Sequence, residues 1–153
     1  MSSDNVTPFR PRPKKKPVRP AGEGLGLNTH RGRAVLSQGL ALIACVLNFL
    51  YQTPPMSFIP LVFAIAGVLI AMSYRRTGMP WAQTHHEHAL RTIIITFIVT
   101  MLASLAASLF GVLGIVALVV IVVVTLWAAV RAAVGLVMAV MRKPIANPTG
   151  LFF

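Results

Sequence analysis

The sequence predicts an all-α, polytopic membrane protein with four transmembrane helices, on three observations. The apolar fraction is 56% and charged residues make up only 11%, against roughly 45–50% and about 25% in a soluble domain. The apolar residues gather in four runs, each of a length near or above that needed to cross about 30 Å of hydrocarbon at 1.5 Å per residue. The 14 Lys and Arg outnumber three acids, for a net charge of +11, and they fall at alternate ends of those runs. A soluble chain of this size could not enclose so much apolar surface, whereas a bilayer removes the need.

Residues 1–32 read as a disordered, basic cytoplasmic tail. Arg10, Arg12, Lys14, Lys15, Lys16 and Arg19 alternate there with Pro8, Pro11, Pro13, Pro17 and Pro20. Proline at this density favours polyproline II, and the segment has too little apolar surface to fold. Its charge suits anionic lipid head groups or an acidic partner protein. Nucleic acid is not an expected partner. No short apolar region with a small-residue cleavage site follows the charges, so the segment does not read as a secretory signal.

The remainder, residues 33–153, reads as a four-helix transmembrane domain with spans at about 34–50, 57–74, 89–110 and 112–130. The first two flank the loop QTPPM and lie near the lower length limit for a span. Pro60 sits in the first turn of the second, where proline is tolerated. A strand reading of VALVVIVVVT in the fourth is set aside, because an isolated strand in lipid has no partners for its backbone.

The fourth apolar run, from Val112 to Met141, is longer than a span. Counting about 19 residues from Val112 places Arg131 at the opposite interface beside Trp127, where it can snorkel. Helix then continues to about residue 141, along or beyond the head groups. Basic residues lie in the tail, in the middle loop with Arg75, Arg76 and Arg91, and at Arg142 and Lys143, while the turns near Gln52 and Gly111 carry none. The positive-inside rule makes the basic side cytoplasmic, with both termini on it.

The segment THHEHALR, residues 84–91, concentrates the polar chemistry. Thr84 and Glu87 match the T-x-x-E capping box of a helix start. His85, His88 and Thr92 share one helix face by their spacing, and His86 faces elsewhere. His85 and His88 are candidate metal or haem ligands, yet a tetrahedral site wants four ligands. The one cysteine, Cys45, lies inside an apolar run with no partner for an intrachain disulfide.

Gln38 and Asn48 could hydrogen-bond between helices. Gly67 with Ala71, Ala103 with Ala107, and Ser104 with Ser108 form four-residue small-residue spacings that let backbones approach. No acidic residue lies within a span, and no P-loop, G-x-S-x-G or H-E-x-x-H is present. An enzyme is therefore not expected, and no cofactor is called for.

The pattern WAQTHHEHALRTI, residues 81–94, followed by two apolar spans and then LWAAVRAAVGLVMAVMRKPIANP, residues 126–148, resembles small bacterial inner-membrane proteins of unknown function. These are similar in layout to a channel subunit of the chloroplast inner-envelope translocon. The matching positions are His85, His88, Arg91, Trp127, Arg131, Gly135 and Pro144. The likeness covers about residues 35–150 and leaves out the basic tail. The chain departs from the pattern in HHEH, where one or two histidines are usual, and in its KPIANP end. The resemblance implies a membrane topology and no assigned activity.

The expected function is that of a non-enzymatic accessory subunit or assembly factor of a larger membrane complex in a bacterial cytoplasmic membrane. Its partners would be anionic lipid and either a membrane protein or further copies of itself. The alternative is a small oligomeric transporter or channel for anions or acidic peptides, with His85, His88 and Arg131 lining a cytoplasmic entrance; with Arg91 and Trp127 these are the interface or functional candidates. A second alternative is metal or haem binding at the histidines.

Overall fold

The computed structural model describes residues 26–51 and 56–151, so the basic tail residues from Arg10 to Arg19 lie outside the described residues. Helix α1 spans His30–Leu50, α2 Phe58–Tyr74, α3 Pro80–Leu109 and α4 Gly114–Val140. A 3-10 turn, Gly111–Leu113, leads into α4. There is no strand among the described residues, and VALVVIVVVT is helical. Three helices are long and apolar enough to cross a membrane, and α2, with 17 residues, is shorter.

Consecutive helices run antiparallel, and α1 and α3 also touch across the bundle, while α2 and α4 make no contact with each other. His30, the α2–α3 connection and residues 141–151 thus share one end. That basic end carries Arg31, Arg33, Arg75, Arg76, Arg91, Arg142 and Lys143. The opposite, apolar end carries the turn FGVLG.

Each helix start has a local cause. The Thr29 hydroxyl accepts from Gly32 N at 3.0 Å and caps α1, which therefore begins at His30, earlier than residue 34. Pro80 occupies the first position of α3, with extended Met79 before it. A proline there is pre-set for helix and forfeits no hydrogen bond.

Thr84 consequently lies inside the helix, which corrects the capping-box reading. Its hydroxyl donates to Trp81 O at 2.7 Å. The Glu87 carboxylate accepts from Arg91 Nε at 2.7 Å and lies 3.9 Å from Arg75.

Close helix contact is made by small side chains. Ala34, Ser37, Ala41 and Ala44 on α1 are buried, as are Ala128, Ala132, Gly135 and Ala139 on α4. Spaced three or four apart, they form facing seams on which two backbones approach, the packing mode expected where lipid removes the usual apolar drive. The helix does continue through residues 132–140, as expected, and the α4 seam packs that continuation on α1.

On α2, Gly67 and Ala71 are buried, and a Cβ at Gly67 would come within 2.8 Å of Ile93 Cδ1. Ala103 and Ala107 are only half-buried, and Ser104 and Ser108 are exposed. The small residues near the apolar end of α3 are therefore less buried than the seams of α1 and α4.

Helix α4 ends in a reversal. Lys143 N donates to Met138 O at 3.0 Å and Arg142 N to Ala139 O at 3.1 Å, the paired bonds of a Schellman motif. The left-handed position, usually glycine, is held by Arg142 at φ 56°. The returning segment, residues 141–151, then folds back against α3 and α4.

The two hairpins differ in length. The described part of the fourth run, Gly111–Val140, has 30 residues, as does α3, against 21 in α1 and 17 in α2. At the basic end, Arg31 at the start of α1 donates to Val140 O at the end of α4 at 2.6 Å, and Gln38 donates to His85 O near the start of α3 at 2.9 Å. At 1.5 Å per residue, the α3–α4 hairpin outreaches its neighbour by about 15 Å at the apolar end. The projecting part exposes Leu105, Leu109, Phe110, Val112 and Ile115.

Candidate functional site

The sequence-selected residues converge where α1, α3 and α4 meet near the basic end. Gln38, His85, His86, His88, Thr92 and Arg131 are each 2% exposed or less. A bundle of aliphatic and small residues surrounds them, so a polar atom there is costly unless it finds a partner inside the protein; Gln38 Oε1, His85 Nδ1, His86 Nδ1 and Arg131 Nη1 have none.

Gln38 is the centre of the arrangement. Its Nε2 donates to the His85 carbonyl at 2.9 Å and lies 3.2 Å from His88 Nδ1. The amide has two N–H groups, so Nδ1 accepts and the imidazole proton sits on Nε2. The Gln38 side chain fits because Gly135 faces it: a Cβ at that position would stand 2.6 Å from Gln38 Oε1 and 2.7 Å from Cδ.

Along α3 the buried hydroxyls of Thr92, Thr96 and Thr100 donate to carbonyls four residues back, at 2.8, 2.7 and 2.8 Å. Thr92 Oγ1 in turn accepts from Arg131 Nε at 3.0 Å. Arg131 thus does not snorkel outward: the helix rotation set by the α4 seam points it at α3.

His86 does face elsewhere than His85 and His88, but toward protein: its ring packs on Tyr74 of α2, with centroids 6.1 Å apart. The Arg33 guanidinium covers the same Tyr74 ring at 4.1 Å. Trp81 meets the His85 ring edge-on at 5.9 Å.

Sequence reasoning missed the returning segment, to which nearly every candidate residue is bonded. His85 Nε2 lies 2.8 Å from Lys143 O, which can only accept, so that nitrogen carries a proton. Ile145, buried, donates its N–H to Thr84 Oγ1 at 3.1 Å. Arg131 Nη2 donates to Pro148 O and Arg91 Nη1 to Thr149 O, both at 3.4 Å. Trp127 Nε1 donates to Leu151 O at 3.0 Å, and its ring lies 5.5 Å from the Arg131 guanidinium.

The segment is therefore held as a strap by side chains from α3 and α4 acting on its backbone. Replacing Thr84 with Val keeps the side-chain shape and removes the acceptor for Ile145 N–H. Amide exchange at Ile145 is expected to speed up about tenfold, the equivalent of one net hydrogen bond. Unchanged exchange would show that the strap is held elsewhere.

Among the described residues no group of three or more His, Cys, Asp or Glu side chains stands together as a metal site. His88 Nδ1 and His85 Nε2 are engaged with Gln38 and Lys143 O, and Cys45 lies buried further along α1. A cavity of about 400 Å³ opens between α1, α2 and α3 toward the apolar end and is lined by Asn48, Tyr51, Ser57, Phe97, Thr100 and Ser104. It does not reach His85 or Arg131.

No family model matches the chain, and no match is found among curated proteins or solved structures.

Proposed function

We propose that the protein is a non-enzymatic accessory subunit or assembly factor of a larger membrane complex, seated in a bacterial cytoplasmic membrane with its basic end in the cytoplasm. One observation carries the proposal. A stripe of exposed aliphatic side chains, Val112, Ile115, Val119, Val123, Leu126, Val130, Val137 and Val140, follows one face of Gly111–Val140 from end to end. Thirty residues amount to about 45 Å of helix, and about 40 Å at the average tilt of about 20°, against about 30 Å of hydrocarbon. Protein covering one end of that stripe resolves the mismatch, and the exposed Ser104 and Ser108 offer a close-packing surface at the projecting end.

The buried polar groups favour the same reading over a passage. A transporter for anions or acidic peptides needs His85, His88 and Arg131 on an open path, and here they are closed in by the strap. The sole described carboxylate, Glu87, is paired with Arg91 and Arg75.

The test is purification of the full-length chain in a mild detergent, with mass spectrometry of what accompanies it. A stoichiometric membrane-protein partner, lost on Ser104→Leu or Ser108→Leu, is the expected result. A monodisperse monomer that carries nothing and restores no complex would refute the proposal.

A further inference from the structure

Arg131 is a buried cation without a counter-ion. It is 2% exposed, and its Nη1 has no hydrogen-bond partner. Nε reaches a neutral hydroxyl and Nη2 a neutral carbonyl. A guanidinium withdrawn from water costs several kcal/mol unless an anion or a full set of acceptors compensates it. Glu87 does not serve, since its oxygens face Arg91 and Arg75.

A second guanidinium points to the same place. Arg91, exposed on its outer side, gives its Nε to Glu87 and aims Nη1 at the strap. Arg91 and Arg131 reach the same turn of the returning segment. They donate to consecutive carbonyls, Pro148 and Thr149, each at 3.4 Å, well beyond the roughly 2.7–2.9 Å of a charge-assisted bond. Two forked donors with spare N–H groups thus converge on two weak, neutral acceptors. The acceptors lie on the turn of Asn147 and Gly150, which is tied mainly to itself through Asn147 Oδ1 and Gly150 N at 2.9 Å.

We propose that Arg91 and Arg131 form a binding site for a phosphate group, in which its oxygens take the places now held by the Pro148 and Thr149 carbonyls. Planar guanidinium forks match phosphate in geometry as well as charge. A phosphate supplies the negative charge that Arg131 lacks, and the turn 147–150 yields without disturbing the Thr84–Ile145 bond. Trp127, on the rim, is a residue type that settles at head-group level. Phosphate of this kind comes either from an anionic lipid head group or from free phosphate. The inference does not depend on the accessory-subunit reading.

The experiment follows thermal unfolding of the full-length chain in an uncharged detergent at constant ionic strength, with inorganic phosphate or dihexanoyl phosphatidylglycerol as probe. A ligand bound only by the folded state raises the midpoint in a saturable way. Wild type and Arg76→Gln, which removes an exposed charge outside the site, should saturate alike. Arg91→Gln should need about tenfold more probe.

Saturation by both probes identifies phosphate itself as the ligand, and saturation by the lipid alone identifies the head group. No saturable rise with either probe would overturn the site, as would equal midpoints for Arg91→Gln and Arg76→Gln. Because Arg91 is exposed, its variant decides the question even if Arg131 variants fold poorly.

Discussion

Gly135→Ala is expected to destabilise the bundle by about 2–3 kcal/mol, measured as thermal unfolding in a mild detergent. The added Cβ would stand 2.6 Å from Gln38 Oε1, closer than any real contact. An exposed glutamine would swing aside, but this one is pinned by its bonds to His85 O and His88 Nδ1. Accommodating the methyl group breaks those bonds inside an apolar seam or pushes α4 off α1, and either costs about 1–3 kcal/mol.

The same change at Gly67 meets the flexible tip of Ile93 at 2.8 Å, with Leu40 Cβ next at 3.4 Å, and should cost about 1 kcal/mol. Adding Gln38→Ala to Gly135→Ala should recover much of the loss relative to Gln38→Ala alone, since the two positions share one space. Strict additivity would mean that Gly135 is not what makes room for Gln38.

Arg131→Met is expected to run the other way. In phosphate-free detergent the variant should be at least as stable as wild type, because it relieves the desolvation penalty of an uncompensated buried charge; even whole buried ion pairs can be exchanged for apolar side chains with a gain of about 1–4 kcal/mol. The partners lost are weak: Thr92 Oγ1 keeps its bond to His88 O, and Pro148 O is a 3.4 Å acceptor at the edge of the bundle. The variant should also lose its response to phosphate. Were Arg131 balanced by a carboxylate, its removal would instead cost about 3–5 kcal/mol by orphaning a buried charge. A large loss of stability in Arg131→Met would therefore show that a counter-ion is already in place.

The helices were legible because their signal is collective: long apolar runs, interrupted by basic loops, leave little choice of state. Boundaries and burial were less so. The T-x-x-E match at Thr84 and Glu87 competed with Pro80, four residues earlier, and a proline fixed at the first helical position decides where the chain begins to coil. The seam of Ala128, Ala132, Gly135 and Ala139 is hard to see because alanine is also the commonest filler of ordinary helices.

Arg131 was placed by counting along a straight span, which gives depth but not rotation. Depth suggested a side chain reaching for water, and rotation points it at Thr92. The strap left almost no trace in the sequence. Its reversal uses Arg142 in the left-handed position, where glycine is the usual sign. Its docking is made by side chains on backbone carbonyls, which any sequence could offer. One sign was available: Pro144 and Pro148 forbid further helix after Lys143, and Ile145 between them is an apolar residue in need of cover.

Side chains at the basic end hold the returning segment closed through bonds from His85, Thr84, Arg131, Arg91 and Trp127 to its backbone. The most direct test is amide hydrogen exchange of the full-length protein in lipid nanodiscs, read at Ile145. Protection well above that of an open chain, comparable with the adjoining last turn of α4, is the predicted result. Exchange at the open-chain rate would mean that the segment is not seated on Thr84 and His85, and that His85 and Arg131 face an open entrance instead.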